Sequence, residues 1–390
     1  MTVDRRAFLQ ASLATGLLPS AVSLYAAPEG GARFLLLFLR GGYDAANVVV
    51  PASSAFYYEA RPNIAIGKDE VLSLDAEWSL HPALRDTLYP MFRRNEVALV
   101  PFAGTEDLSR SHFETQDSIE LGLPAGRRDY SSGFLNRLVA LLHGKRAISF
   151  TDQLPVSMRG GAQVANASLR AAGRVGVNAR ETALITEMYR GTSLASPVTG
   201  GFAARDEVAH ELEGEMAAAS RSAVNPRNFE LQARRVGRLM RTSYHIGFVD
   251  VGGWDTHVGE GGAKGALAGR LEDLGRGLDS FANGMGPDWS RTVVVVISEF
   301  GRTFRENGNR GTDHGHGTVY WVLGGAVRGG RIAGEQARVE RSTLFQDRDY
   351  PVLNDYRAVL AGLFGRLYGL SRADLGKVFP DSVSSDLGIL

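Results

Sequence analysis

The sequence predicts an α/β protein: a mostly parallel central sheet with helices on both faces, and a helical insertion. Three observations carry this. Short continuous apolar runs recur at Phe34–Leu39, Val97–Phe102, Ile246–Val251, Thr292–Ile297 and Val319–Leu323. Each suits a strand buried on both faces. Helical patterns separate the runs, and strands alternating with helices argue for a covered parallel sheet. Glycine pairs (Gly41-Gly42, Gly252-Gly253, Gly324-Gly325, Gly329-Gly330) close or follow apolar runs, as tight strand-to-loop turns require.

Residues 4–10 read Asp4-Arg5-Arg6-Ala7-Phe8-Leu9-Gln10, followed by a modestly apolar stretch Ala11–Leu18 and a small-residue region ending at Ala26-Ala27. A basic start, a short apolar run and a small-residue exit make a secretory signal. The run is too short and too interrupted, by Gly16 and Pro19, to span a bilayer. Paired arginines followed by Phe8-Leu9 resemble the twin-arginine motif, whose pathway exports folded proteins. The expectation is a signal over residues 1–27, a single domain over 28–390, the twin-arginine export machinery as a partner, and a periplasmic or secreted product.

Within the domain, Pro82 starts a helix marked by Leu84, Leu88, Met91 and Phe92, which Pro90 is expected to kink. The region 155–241 is rich in Ala, Arg and Glu, with helix signals at Glu181–Arg190 and Phe202–Ala219, and reads as a helical insertion. A helix carrying Phe229, Val236 and Met240 follows, with Asn225-Pro226 as its cap and first turn. Leu267, Leu271, Leu274, Leu278 and Phe281 form an apolar stripe of helical spacing.

Composition sets bounds on function. With 390 residues, 44% of them hydrophobic, the chain can bury a full core. Lys+Arg and Asp+Glu balance at 43 each, so nothing suggests a nucleic-acid footprint or an anionic-membrane surface. There are no cysteines, so any metal must be held through nitrogen and oxygen.

Ligand sites in open α/β sheets gather outside the carboxyl ends of the strands. There the chain places Asp44, the Ser109-Arg110-Ser111-His112 loop, Asp255 and His257, Glu299 and Arg302, then Asp313, His314 and His316. Imidazole and carboxylate suit a borderline divalent ion, Zn or similar. Each piece also has a plain structural explanation: Asp44 as a turn cap, Asp255-Thr-His257 as an Asx-turn, Glu299 and Arg302 as a pair across a turn. His314-Gly-His316 is hardest to dismiss, because flanking glycines free both rings to face one centre.

Over nearly its whole mature length the chain is similar to the exported bacterial proteins grouped as "domain of unknown function 1501". The carrying segments are Arg40-Gly-Gly-Tyr-Asp44, Ser111-His-Phe-Glu114, Gly253-Trp-Asp-Thr-His257, Ser298-Glu-Phe-Gly-Arg-Thr303 and Asp313-His314. That family resembles the alkaline phosphatase and sulfatase superfamily, which implies a central sheet with a one- or two-metal hydrolytic site. The resemblance makes Asp44 the first metal ligand and adds Asp255, His257 and His314 or His316 from the later loops; Glu299 and Asp313, expected on the same edge, complete the candidate ligand set. It makes Ser111 the nucleophile candidate, with Ser109 and Thr105 in the same loop, and Arg302 or Arg110 the clamp on the anion. Glu299-Phe300 departs from the superfamily's Asp-His. The implied activity is metal-dependent hydrolysis of a small anionic phosphate or sulfate ester. The alternative is a non-catalytic exported protein that keeps the fold to bind or assemble with another exported protein. A metal-free carbohydrate module would need exposed aromatics, for which only Trp254 and Tyr43 are placed.

Overall fold

A computed structural model describes residues 31–168, 179–202 and 229–390. The twin-arginine segment, most of the helix expected over Phe202–Ala219, and the Asn225-Pro226 cap lie outside the described residues.

All five apolar runs are strands of one nine-stranded sheet. Its order is β11 (Arg331–Ile332), β5 (Val97–Gly104), β10 (Thr318–Leu323), β9 (Thr292–Ser298), β1 (Arg33–Leu39), β8 (Ile246–Val251), β6 (Ala147–Ser149) and β7 (Ala165–Asn166). Beyond this path, β12 (Asn354–Asp355) also pairs with β5. Three short strands, β2 (Val49–Val50), β3 (Leu72–Ser73) and β4 (Ser79–Leu80), form a separate antiparallel sheet. The main sheet is parallel except for β10, which runs antiparallel to both β5 and β9. The chain between β9 and β10 contains no helix, and without a crossover the strand turns back.

The continuous apolar runs are explained by what covers each face. Leu35, Leu37 and Leu39 of β1, with Val294 and Val296 of β9, point to one core. Phe34, Leu36 and Phe38, with Val293, Val295 and Ile297, point to the other. Alternation across a strand sends consecutive side chains to opposite faces, so a strand covered twice is apolar throughout. Each fully buried Leu or Phe contributes about 1.5–3 kcal/mol. On the first face, Val236, Leu239 and Met240 pack with Leu267, Leu271, Leu274, Leu278 and Phe281. On the second lie Phe134 and Leu138, with Val359, Leu363 and Phe364.

The covering helices are α1 (His112–Leu121), α2 (Phe134–Leu141), α3 (Phe229–Thr242), α4 (Ala266–Met285), α5 (Tyr356–Tyr368) and α6 (Arg372–Val378). The Asp355 carboxylate caps α5 by accepting from the Arg357 and Ala358 amides, and Gly369, at φ 67°, ends it in a left-handed turn.

Two expectations need correction. The kinked helix is a 3-10 turn, Pro82–Leu84, followed by a separate short helix, Leu88–Arg93. Pro90 lies in that helix's first turn, where an amide has no intrahelical partner to lose. The region 155–241 is also not uniformly helical. It contributes β7 to the sheet edge and ends in α3, which is core, with helical stretches at Ala179–Met188 and 195–202 between them among the described residues.

Candidate metal centre

β1, β5, β8 and β9 are parallel, and the register levels their ends, with Leu39 opposite both Val251 and Ser298. The loops leaving all four therefore share one edge. β10 begins at that edge, because it is antiparallel, and so delivers the Asp313–His316 segment to the same place. Gly41, at φ 127°, lets the β1 loop touch the β8 loop: a Cβ there would sit 2.7 Å from the Asp255 amide nitrogen.

Four side chains meet at this edge. His257 Nε2 is 3.0 Å from Asp255 Oδ1, His314 Nε2 is 3.4 Å from the same oxygen, and His112 Nε2 is 3.5 Å from Asp255 Oδ2. His257 Nε2 and His314 Nε2 are 3.1 Å apart. The His112 and His314 rings lie 4.3 Å apart, centre to centre. Ligand atoms of His112, Asp255 and His314 all fall within 4.8 Å of one another.

The outer nitrogens fix the tautomers. His112 Nδ1 lies 2.7 Å from Glu299 Oε1, His257 Nδ1 lies 3.3 Å from Asp313 Oδ1, and His314 Nδ1 lies 3.0 Å from the Arg110 carbonyl. All three partners only accept, so each Nδ1 carries the hydrogen and each neutral ring turns an Nε2 lone pair inward. Two such lone pairs 3.1 Å apart repel unless a proton or a cation lies between them. His112 Nε2 is buried with no hydrogen-bond partner. Nitrogens about 2.0–2.1 Å from a shared ion lie close to this far apart, and metal-bound histidines nearly always donate their other nitrogen in this way. The residues present therefore fit a divalent ion.

Electrostatics agree. The hydrogen bond to Glu299 raises His112 above the ordinary imidazole value against its partial burial, with Asp255 adding to the rise. Burial lowers His314, and the positive charge of Arg302 acts the same way. Burial alone would raise Asp255, but the Arg302 guanidinium outweighs it and holds the carboxylate below its usual range. Asp313 is lowered chiefly by the hydrogen bond from Asn307.

The structure sorts the expected ligands. Asp255, His257 and His314 come together, and Asp313 stands behind His257. Glu299 lies behind His112, fully buried. Its Oε1 accepts from the Gly41 amide (2.8 Å), Gln116 (2.8 Å) and His112. Burial would raise its carboxyl, yet these donors hold it low. Asp44 is not at the cluster: it is paired with both terminal nitrogens of buried Arg61. His316 turns away onto Phe345, ring centres 5.1 Å apart, and burial pushes it down to about 4. Its carbonyl accepts from Gly301 and the next amide donates to the Tyr350 carbonyl, which pins it out of the cluster.

The expected catalytic groups are placed as follows. Ser111 is the half-buried N-cap of α1, directly before His112, and makes no cap hydrogen bond. Ser109 bonds the Thr115 hydroxyl, and Thr105 accepts from the Asp107 amide. Arg302 is committed to Asp255 (2.5 Å) and to Thr312. Arg110 is committed to Asp349 (2.7 Å) and Gln346. Neither arginine is a free clamp.

His112 is the residue of this cluster that sequence reasoning left without a role. Its only local signal is a histidine in the first turn of a helix on the ligand edge, with Gln116 one turn later on the same face.

The sequence pattern that describes the proteins of unknown function DUF1501 matches residues 100–380. The chain belongs to the DUF1501 family. Among solved structures, this DUF1501 protein is similar to a protein in the alkaline phosphatase superfamily from Vibrio parahaemolyticus, at 11% identity and a TM-score of 0.35, covering 83% of this chain and 69% of that one. It is also similar to alkaline phosphatase from the Antarctic bacterium TAB5, at 10% identity and 0.30, covering 75% and 92%. A third is Ps i-CgsB in complex with k-i-k-neocarrahexaose, at 9% and 0.36, covering 92% and 76%. No curated protein matches the sequence. Likenesses this distant assign no residue a role. Among the described residues, no helix is long and apolar enough to cross a membrane.

Proposed function

We propose that this DUF1501 protein is an exported, metal-dependent hydrolase of phosphate or sulfate esters. The supporting observation is the set of inward Nε2 atoms of His112, His257 and His314 around the Asp255 carboxylate, each ring oriented by its own acceptor. Those four residues would hold the ion. When bound, a divalent ion supplies Lewis acidity and lowers the pKa of a hydroxyl beside it.

The chain's own residues do the rest. Glu299, Asp313 and the Arg110 carbonyl hold the ring tautomers, and Arg302 fixes Asp255. Ser111 is the nucleophile candidate because it is only half-buried, directly precedes His112 and makes no cap hydrogen bond. The first-turn amides of α1, which have no intrahelical partners, offer donors for an anionic group. The test is turnover of aryl phosphate and aryl sulfate esters by zinc-loaded protein, with Ser111→Ala expected to abolish it while zinc stays bound.

A second reading keeps the metal without hydrolysis, as an exported protein that binds or assembles with another exported protein. The commitment of Arg110 to Asp349 and of Arg302 to Asp255 favours it, since neither of these two guanidinium groups is free to grip a substrate. Zinc bound at the centre with no turnover of either ester class would decide for it.

Export through the twin-arginine pathway, to the periplasm or beyond, belongs to the same proposal. Arg5→Lys with Arg6→Lys is expected to leave folded protein in the cytoplasm, scored by cell fractionation. Normal export of that variant would sink the idea.

A further inference from the structure

We infer that the centre takes one nitrogen-ligated ion and no second one, because Arg61 is a built-in cation that holds Asp44 out of the ligand set while Thr256 and Thr312 engage Glu260. The inference rests on the proposal that the centre binds metal at all.

Asp44, from the loop after β1, and Glu260, from the loop after β8, are both fully buried. The Arg61 guanidinium is spent on Asp44 and on the groups around it. Its terminal nitrogens pair with both Asp44 oxygens, and one also reaches Asn47 Oδ1 at 3.1 Å. Its remaining donors go to the Phe304 carbonyl at 2.7 Å and the Thr303 carbonyl at 3.1 Å. Glu260 Oε2 accepts from the hydroxyls of Thr256 (2.7 Å) and Thr312 (3.0 Å). Burial and the neighbouring Asp44 charge push the Glu260 carboxyl well above its ordinary range. The buried Asp44–Arg61 pair is neutral, with both carboxylate oxygens engaged. A second divalent ion would place uncompensated charge in a closed interior, which is strongly unfavourable.

The upper cluster balances differently. Arg302 neutralises Asp255, and the three imidazoles are neutral as ligands. Glu299 and Asp313, each one ring away from the centre, supply the two negative charges that match one divalent ion. Three imidazoles and one carboxylate suit zinc and its neighbours, whereas magnesium and calcium take oxygen ligands.

The experiment strips the purified full-length protein with chelator and titrates it separately with Zn²⁺, Mg²⁺ and Ca²⁺, reading bound metal by elemental analysis and the melting temperature. One zinc per chain is expected, with neither magnesium nor calcium bound or stabilising. Glu299→Gln is expected to weaken zinc about 10–100-fold by loosening the His112 ring. Asp44→Asn is expected to keep one zinc per chain. Two zinc ions per wild-type chain, a preference for magnesium or calcium, or zinc loss in a folded Asp44→Asn protein would each overturn the inference. If Asp44→Asn does not fold, the wild-type stoichiometry still decides. No zinc at all would overturn the metal reading itself, a different outcome from two.

Discussion

Arg61→Ala is expected to destabilise the fold by about 3–5 kcal/mol, because it strands a buried carboxylate without its counter-ion. The Arg61 side chain is 0% exposed and that of Asp44 is 1%, so water cannot replace the lost partner. The Phe304 and Thr303 carbonyls would lose their donors as well. Denaturant unfolding followed by circular dichroism measures the loss. A change below about 1 kcal/mol, the range of a surface pair, would show that the pair is solvated. The pH dependence follows from two opposite shifts. Burial would raise Asp44, but Arg61 outweighs it and holds it low, so its contribution is complete above the ordinary carboxylate range and is lost as the pH falls through the lowered value. Glu260 is raised, so its contribution is complete in acid and is lost as the pH rises through its elevated value. Stability should therefore peak between the two, and Arg61→Ala should flatten the acid side.

Removing the ion is expected to give the second large effect. A ligand bound only to the folded state adds about 4 kcal/mol when its free concentration is a thousandfold above Kd. Chelator should lower the wild-type melting temperature by several degrees. His257→Ala, which deletes the ring facing both Asp255 and His314, should melt where the chelated wild type melts and ignore chelator. His143→Ala is the control, because that side chain is exposed just before β6, at the opposite edge of the sheet. Equal melting points for wild-type protein with and without chelator, and no detectable metal, would remove the ion from the description.

Much of the architecture was legible in the sequence because its cause is local. A strand covered on both faces must be apolar at every position, so the five long runs announced themselves. Helices that cover the sheet show their contact stripe at fixed spacing, as Leu267–Phe281 does. Since parallel strands end together, the residues following each run could be expected on one edge, and Asp255, His257 and His314 do meet there. The short strands β6, β7, β11 and β12 gave no such signal, having too few residues to show a period.

The sequence by itself determined which residue types reach the ligand edge. Only the tertiary structure decided which of them are free to act. Asp44 and Asp255 look alike as loop carboxylates, yet one is locked to Arg61 and the other faces three imidazoles. Arg110 is held by Asp349, 239 positions away, and His112 is oriented by Glu299, 187 positions away. The reversal of β10 brings His314 into the centre, and the pinned backbone beside it sends His316 onto Phe345. The physical reason is range. Hydrophobic periodicity arises between neighbours along the chain, whereas a buried charge is satisfied by whatever the strand order brings within about 3 Å.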